Sequence, residues 1–110
     1  MKAFRFLLIV AFVAELVYTI IAGNNYGWNI FPIIIDSITS LTWTGQFNLD
    51  FSFYLVISGL WVAWRNKFSP LGIALGLVAF VGGILFLSVY LIILSFNPNN
   101  SVKELLIGKN

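Results

Sequence analysis

Apolar residues run almost unbroken from Ala3 to Ala22, from Phe47 to Trp64 and from Leu71 to Phe96, with polar residues gathered between the runs. Runs this long are read by length rather than by period. At 1.5 Å per residue they form helices of about 30, 27 and 39 Å, against a bilayer hydrocarbon core of about 30 Å. Each predicts a transmembrane helix, and the third is long enough to tilt or protrude.

Turn and cap residues mark the ends. Gly23-Asn24-Asn25-Tyr26-Gly27 stops the first helix. Asn48 or Asp50 caps the second, and Arg65 and Lys67 close it where a helix dipole favours cations. Ser69-Pro70 supplies an N-cap and a first-turn proline for the third, Gly82-Gly83 permits a bend in it, and Asn97-Pro98-Asn99-Asn100 ends it. Residues 32–42 are too short and too polar to cross. Pro32 starts a helix there with Ile34, Ile35, Ile38 and Leu41 on one side and Asp36, Ser37 and Ser40 towards the other. This predicts an interfacial or re-entrant helix. A fourth crossing would leave almost no loop before Phe47.

The expected fold class is all-α: one integral membrane domain over residues 1–110, with three transmembrane helices, the shallow helix and a C-terminal surface segment, 97–110. In that segment Ser101-Val102-Lys103-Glu104 matches a capping box ahead of Leu105-Leu106-Ile107, and Gly108 can end the turn. Asn99-Asn100-Ser101 is formally a glycosylation sequon, relevant only in a eukaryotic host.

Charge then sets an orientation. Three crossings put Lys2, Arg5, Arg65 and Lys67 on one side, cytoplasmic by the positive-inside rule, in a bacterial inner or thylakoid membrane. The C-terminus falls on the other side, where Lys103 and Lys109 run against the rule. Tyr26, Trp28, Trp43, Trp61 and Trp64 sit near the expected interfaces, and Asp50, Trp61, Trp64 and Arg65 read as interface anchors. Lys2 and Arg5 ahead of an apolar run also resemble a signal peptide. The run carries Glu15 and lacks a small-x-small cleavage pattern, so it is expected to be retained.

Composition narrows the chemistry. The chain is 60% hydrophobic and 9% charged, with mean hydropathy +0.97, whereas soluble domains carry roughly 25% charged residues. Six Lys/Arg spread along 110 residues form no cluster in sequence and are too sparse for a nucleic-acid surface. Cysteine and histidine are both absent, which excludes disulfides, thiolate metal sites and Ser-His-Asp or Cys-His hydrolases. No phosphate-binding glycine loop, catalytic carboxylate pair or regular metal-ligand spacing is present, so no metal and no catalysis are expected.

Glu15 is the exception inside the apolar runs. A carboxyl at that depth costs roughly 2–3 kcal/mol, so it needs a neutralising proton, a partner or a function. Ala11, Tyr18, Thr19 and Ala22 share its helix face. At similar depth the other spans offer Tyr54, Ser58, Ser88 and Tyr90. Glu15, Tyr18, Tyr54 and Ser58 therefore form the candidate intramembrane site, as a hydrogen-bonded packing group, a proton-coupled substrate site or an acidic contact for another chain. Asp50, Tyr54, Ser58, Trp61 and Arg65 recur down one side of the second span, as a packing seam or a polar path. In the third span Gly72, Gly76, Ala79 and Gly83 keep a small-residue stripe for close helix contact, within the chain or between copies.

Trp43-Thr44-Gly45-Gln46-Phe47-Asn48-Leu49-Asp50, Gly59-Leu60-Trp61-Val62-Ala63-Trp64-Arg65, and Gly82-Gly83 before Leu85 and Tyr90 resemble a family of short bacterial and cyanobacterial three-helix membrane proteins of unknown function. The resemblance covers Gly27 to Leu94. It implies membrane placement, no known activity, and a charged pair at Asp50 and Arg65. Ala14-Glu15-Leu16 is also similar to the small multidrug resistance transporters, but those have four close-packed spans and only Glu15 would carry over. The expected role is a non-catalytic accessory or assembly subunit, touching lipids and other membrane subunits or itself and no nucleic acid. It needs no cofactor of its own, and any lipid, quinone or carotenoid would be held through a partner complex. The alternative is a homo-oligomeric proton-coupled transporter built on Glu15, with a lipid-modifying enzyme a distant third.

Overall fold

A computed structural model describes residues 2–97 and 101–110, and every regular element among them is a helix. In chain order these are α1 (Lys2–Tyr26), α2 (Phe31–Thr39), α3 (Trp43–Arg65), α4 (Pro70–Gly82), α5 (Ile84–Ser95) and α6 (Val102–Ile107). Pro98, Asn99 and Asn100, and with them most of the sequon and of the expected stop after the third span, lie outside the described residues.

Two boundaries differ from the sequence reading. α1 continues past Ala22 because Gly23 stays helical, and the left-handed residue that stops it is Gly27, at φ 88°. α3 begins at Trp43 because Thr42 is the cap, its side chain accepting from Gly45 N at 3.2 Å. Asn48 and Asp50 lie inside the helix instead. Asn48 Nδ2 donates to Ser37 Oγ at 2.9 Å and ties α2 to α3. The α4 cap follows the expectation, with Ser69 Oγ accepting from Gly72 N at 3.0 Å and Pro70 in the first turn.

The larger difference is at Gly83. The expected third span, Leu71 to Phe96, is two helices, and the chain reverses between them. Gly83 sits at φ 57°, ψ −139°, a conformation in which a side chain clashes. Near the start of α4, Gly72 lies against Asn66. Tyr90, seven residues beyond Gly83, accepts from that same Asn66 through Nδ2 at 3.0 Å. A straight helix would place Tyr90 about 27 Å from Gly72, so α5 must fold back. α4 and α5 are thus limbs of about 20 and 18 Å, each too short to cross. Among the described residues, only α1 and α3 are helices long and apolar enough to span a membrane.

The reversal also moves the C-terminus. Arg5 on α1 donates to Ser95 at the end of α5, Tyr90 meets Arg65 at the end of α3, and Arg65 holds α6. The C-terminal segment therefore sits at the end of the molecule where α1 begins. The sequence reading put it at the opposite end, because it took Leu71–Phe96 as one crossing.

α3 packs on α4, α5 on α1, and α2 on the start of α3. The α3–α4 crossing is set by glycine. A β-carbon on Gly76 would lie 2.6 Å from Gly59 O, and one on Gly59 would lie 2.8 Å from Gly76 O. The obstacle is backbone, so it cannot rotate away. Gly76→Ala is expected to cost about 1–3 kcal/mol, read as a lower midpoint of unfolding in denaturing detergent. An unchanged midpoint would mean the two backbones separate freely.

Little apolar surface is covered. Among the described residues the buried hydrophobic ones are Leu8, Val62, Ala63, Ala79 and Leu105. Within the most apolar stretches of α1 and α3, only 11% and 17% of residues are buried. The accessible surface is 7873 Å², against about 6,100 Å² for a compact soluble monomer of this mass. Water is therefore a poor solvent for this surface.

Candidate functional site

Two features concentrate the polar chemistry. The first is the seat of α6. A helix leaves its last four carbonyls without intrahelical donors, and in α6 all four are satisfied. Glu104 O accepts from Gly108 N at 2.8 Å and from an Arg65 guanidinium nitrogen at 3.2 Å. Leu105 O accepts from Arg65 Nε at 2.6 Å, Leu106 O from Trp61 Nε1 at 2.9 Å, and Ile107 O from the Asn110 side chain at 2.9 Å. Arg65 also donates to Tyr90 Oη at 3.2 Å, and its own carbonyl accepts from Lys109 N at 3.1 Å.

Arg65 and Trp61 were expected as interface anchors. Arg65 is instead 6% exposed and serves as a cap. The cause is geometric: the two are one helical turn apart on α3, and the reversal at Gly83 brings the C-terminal segment back onto that turn. Trp64 stays partly exposed, its carbonyl accepting from the Asn110 side chain at 2.8 Å. Asp50 is exposed fifteen residues earlier on α3, so it makes no pair with Arg65.

The second feature is a cavity of about 480 Å³ along the far half of α1. Glu15, Tyr18, Ala22 and Tyr26 of α1 line it together with Trp28 and Ile33. Gly23 is buried under Trp28, since a β-carbon there would fall into the indole ring. Glu15 has neither a hydrogen bond nor an ion pair among the described residues, and no Lys or Arg lines the cavity. Tyr18 lies beside Glu15, as their shared helix face requires. Tyr54 and Ser58 do not join them, because α3 packs on α4 while α1 packs on α5. Tyr54 is exposed, and Ser58 Oγ is buried without a hydrogen-bond partner among the described residues. Gly72, Gly76 and Ala79 are buried in α4, whereas Gly83 makes the turn.

Sequence reasoning missed Trp28 as part of the cavity, having placed it in an aromatic belt. The one signal was the run Gly23 to Gly27, which turns the following residues back over α1. Chemically the cavity offers an apolar, aromatic wall and one carboxyl, suited to a hydrogen-bond donor or a cation. Among the described residues there is no group of three or more His, Cys, Asp or Glu that could hold a metal ion. No protein-family model, curated protein or solved structure matches the chain.

Proposed function

We propose that this protein is a non-catalytic integral membrane subunit that packs against the helices of a larger assembly, crossing the bilayer with α1 and α3 and inserting α4–α5 as a re-entrant hairpin. The reading rests on one observation: long apolar faces of α1 and α3 stay uncovered around an unpartnered Glu15. Spacing supports the placement. Trp43 and Trp64 stand about 32 Å apart on α3, as do Arg5 and Tyr26 on α1, matching a bilayer core between two aromatic and basic belts. This replaces the three-crossing topology with two crossings and a hairpin. A partner helix that offers a donor to Glu15 removes the cost of an unpaired carboxyl in lipid.

The test is the mass of the native assembly in mild detergent. Unlike chains in fixed stoichiometry are the expected result, and a monomer alone would overturn the proposal. Glu15→Leu, which removes the acceptor, is expected to weaken retention of those chains about tenfold, the size of one interhelical hydrogen bond in a membrane. The Glu15 cavity also supports the second reading, a proton-coupled transporter. That reading predicts a homo-oligomer whose uptake in liposomes is lost in Glu15→Gln.

A further inference from the structure

Six basic residues that look scattered in the sequence converge at one end of the fold. Lys2 and Arg5 open α1, Arg65 ends α3 with Lys67 in the turn after it, and Lys103 lies within, and Lys109 just beyond, the α6 helix that Arg65 holds. Glu104 is the one acid there, while Glu15, Asp36 and Asp50 lie along α1, on α2 and near the start of α3. The chain's modest formal charge of +2 thus conceals a strongly positive end and a negative remainder.

We propose that this end is a docking surface for the anionic headgroups of membrane phospholipids. The proposal rests on the membrane placement above. Arg5 and Arg65 are engaged by Ser95 and by α6, but Lys2, Lys67, Lys103 and Lys109 are exposed. Apolar side chains lie among them: Phe68, Phe96, Val102 and Leu106 are all more than half exposed. Val102 and Leu106 are one turn apart on α6 and share a side. Cations interleaved with exposed aromatic and aliphatic groups, at the end of two membrane-length helices, match the boundary between headgroups and acyl chains. A nucleic acid or an acidic protein would leave that apolar surface in water. By capping α6, Arg65 fixes Lys103 and Lys109 in the same layer as Lys67.

The test uses the full chain in detergent micelles, titrated with phosphatidylglycerol or phosphatidylcholine, with bound lipid counted by native mass spectrometry. The wild type is expected to favour phosphatidylglycerol by about tenfold or more, less so at high salt. Lys67→Gln, Lys103→Gln and Lys109→Gln together should bring the two lipids near parity, and arginine at the same positions should keep the preference. Equal binding by the wild type, or an undiminished preference in the glutamine variant, overturns the proposal. So does displacement of the lipid by inorganic phosphate beyond that caused by chloride at equal ionic strength, which would mark a free-phosphate site. Alkaline washing of proteoliposomes separates the two readings: release from the bilayer defeats membrane placement, whereas retention without lipid preference defeats only the headgroup surface.

Discussion

Replacing Arg65 with alanine is expected to free α6 from the rest of the protein. Three hydrogen bonds from one guanidinium reach Leu105 O, Glu104 O and Tyr90 Oη. Removing a buried, charged donor of this kind costs about 3 kcal/mol, because three charge-assisted bonds go and Leu105 O is left without a partner, while Glu104 O keeps Gly108 N and Tyr90 Oη keeps Asn66. Six residues cannot hold a helix alone in water, so undocking and unfolding of α6 are one event. A loss of that size shifts the docked fraction by about a hundredfold. Trypsin reads the change directly, since Lys103 lies within α6 and Lys109 just beyond it. Cleavage at Lys103 should accelerate, and the Lys109 amide, which donates to Arg65 O in the native fold, should lose protection from hydrogen exchange. Arg65→Lys should fall between, keeping the charge near the α6 carbonyls but losing the fork that reaches several acceptors at once. Unchanged cleavage in Arg65→Ala would show that Trp61 and Asn110 hold α6 without it.

How much of this was legible in the sequence differs from residue to residue. The two long helices were, because an unbroken apolar run fixes their length and the cap chemistry is local. Ser69-Pro70 and Ser101 with Glu104 are read from neighbours three residues away, and the Ser101 cap forms as that spacing predicts, its side chain accepting from Glu104 N at 3.3 Å. Gly72 and Gly76 could be chosen as contact residues, though not Gly59, which meets Gly76 across the α3–α4 crossing. What stayed hidden depends on the path of the chain through space. Gly83 was marked as a place for a bend, but a bend and a reversal carry the same two letters. Read as part of a crossing, that turn sends Arg65 to the membrane edge and the last fourteen residues across the bilayer. The candidate site was half legible. Glu15 and Tyr18 stand together because they share a helix face, while Trp28 enters only through the turn after Tyr26.

On the proposed topology of two crossings and a hairpin, substituting valine for Gly83 should convert the hairpin into a straight helix and carry the C-terminus to the other side of the membrane. The hairpin is sustained against a real competitor. The amides of Ile84, Leu85 and Phe86 have no hydrogen-bond partner among the described residues, and a continuous helix from Pro70 to Ser95 would satisfy all three. Each such bond is worth about 0.5–1.5 kcal/mol net, and more where water is absent. On the other side stand α5 packed along α1, Tyr90 joined to Arg65 and Asn66, and a glycine free to adopt φ 57°. A β-branched residue adds about 1–3 kcal/mol of strain to that turn and none to a straight helix. The chain has no cysteine, so Lys2→Cys and Lys109→Cys, made separately, report sidedness through a membrane-impermeant maleimide. Both positions should label from the same side in the parent chain and from opposite sides once Gly83→Val is added. Opposite labelling in the parent itself would restore three crossings and dismantle the basic end. The variant should also lose the protection of α6, because a straight helix takes Tyr90 and the C-terminal segment away from Arg65.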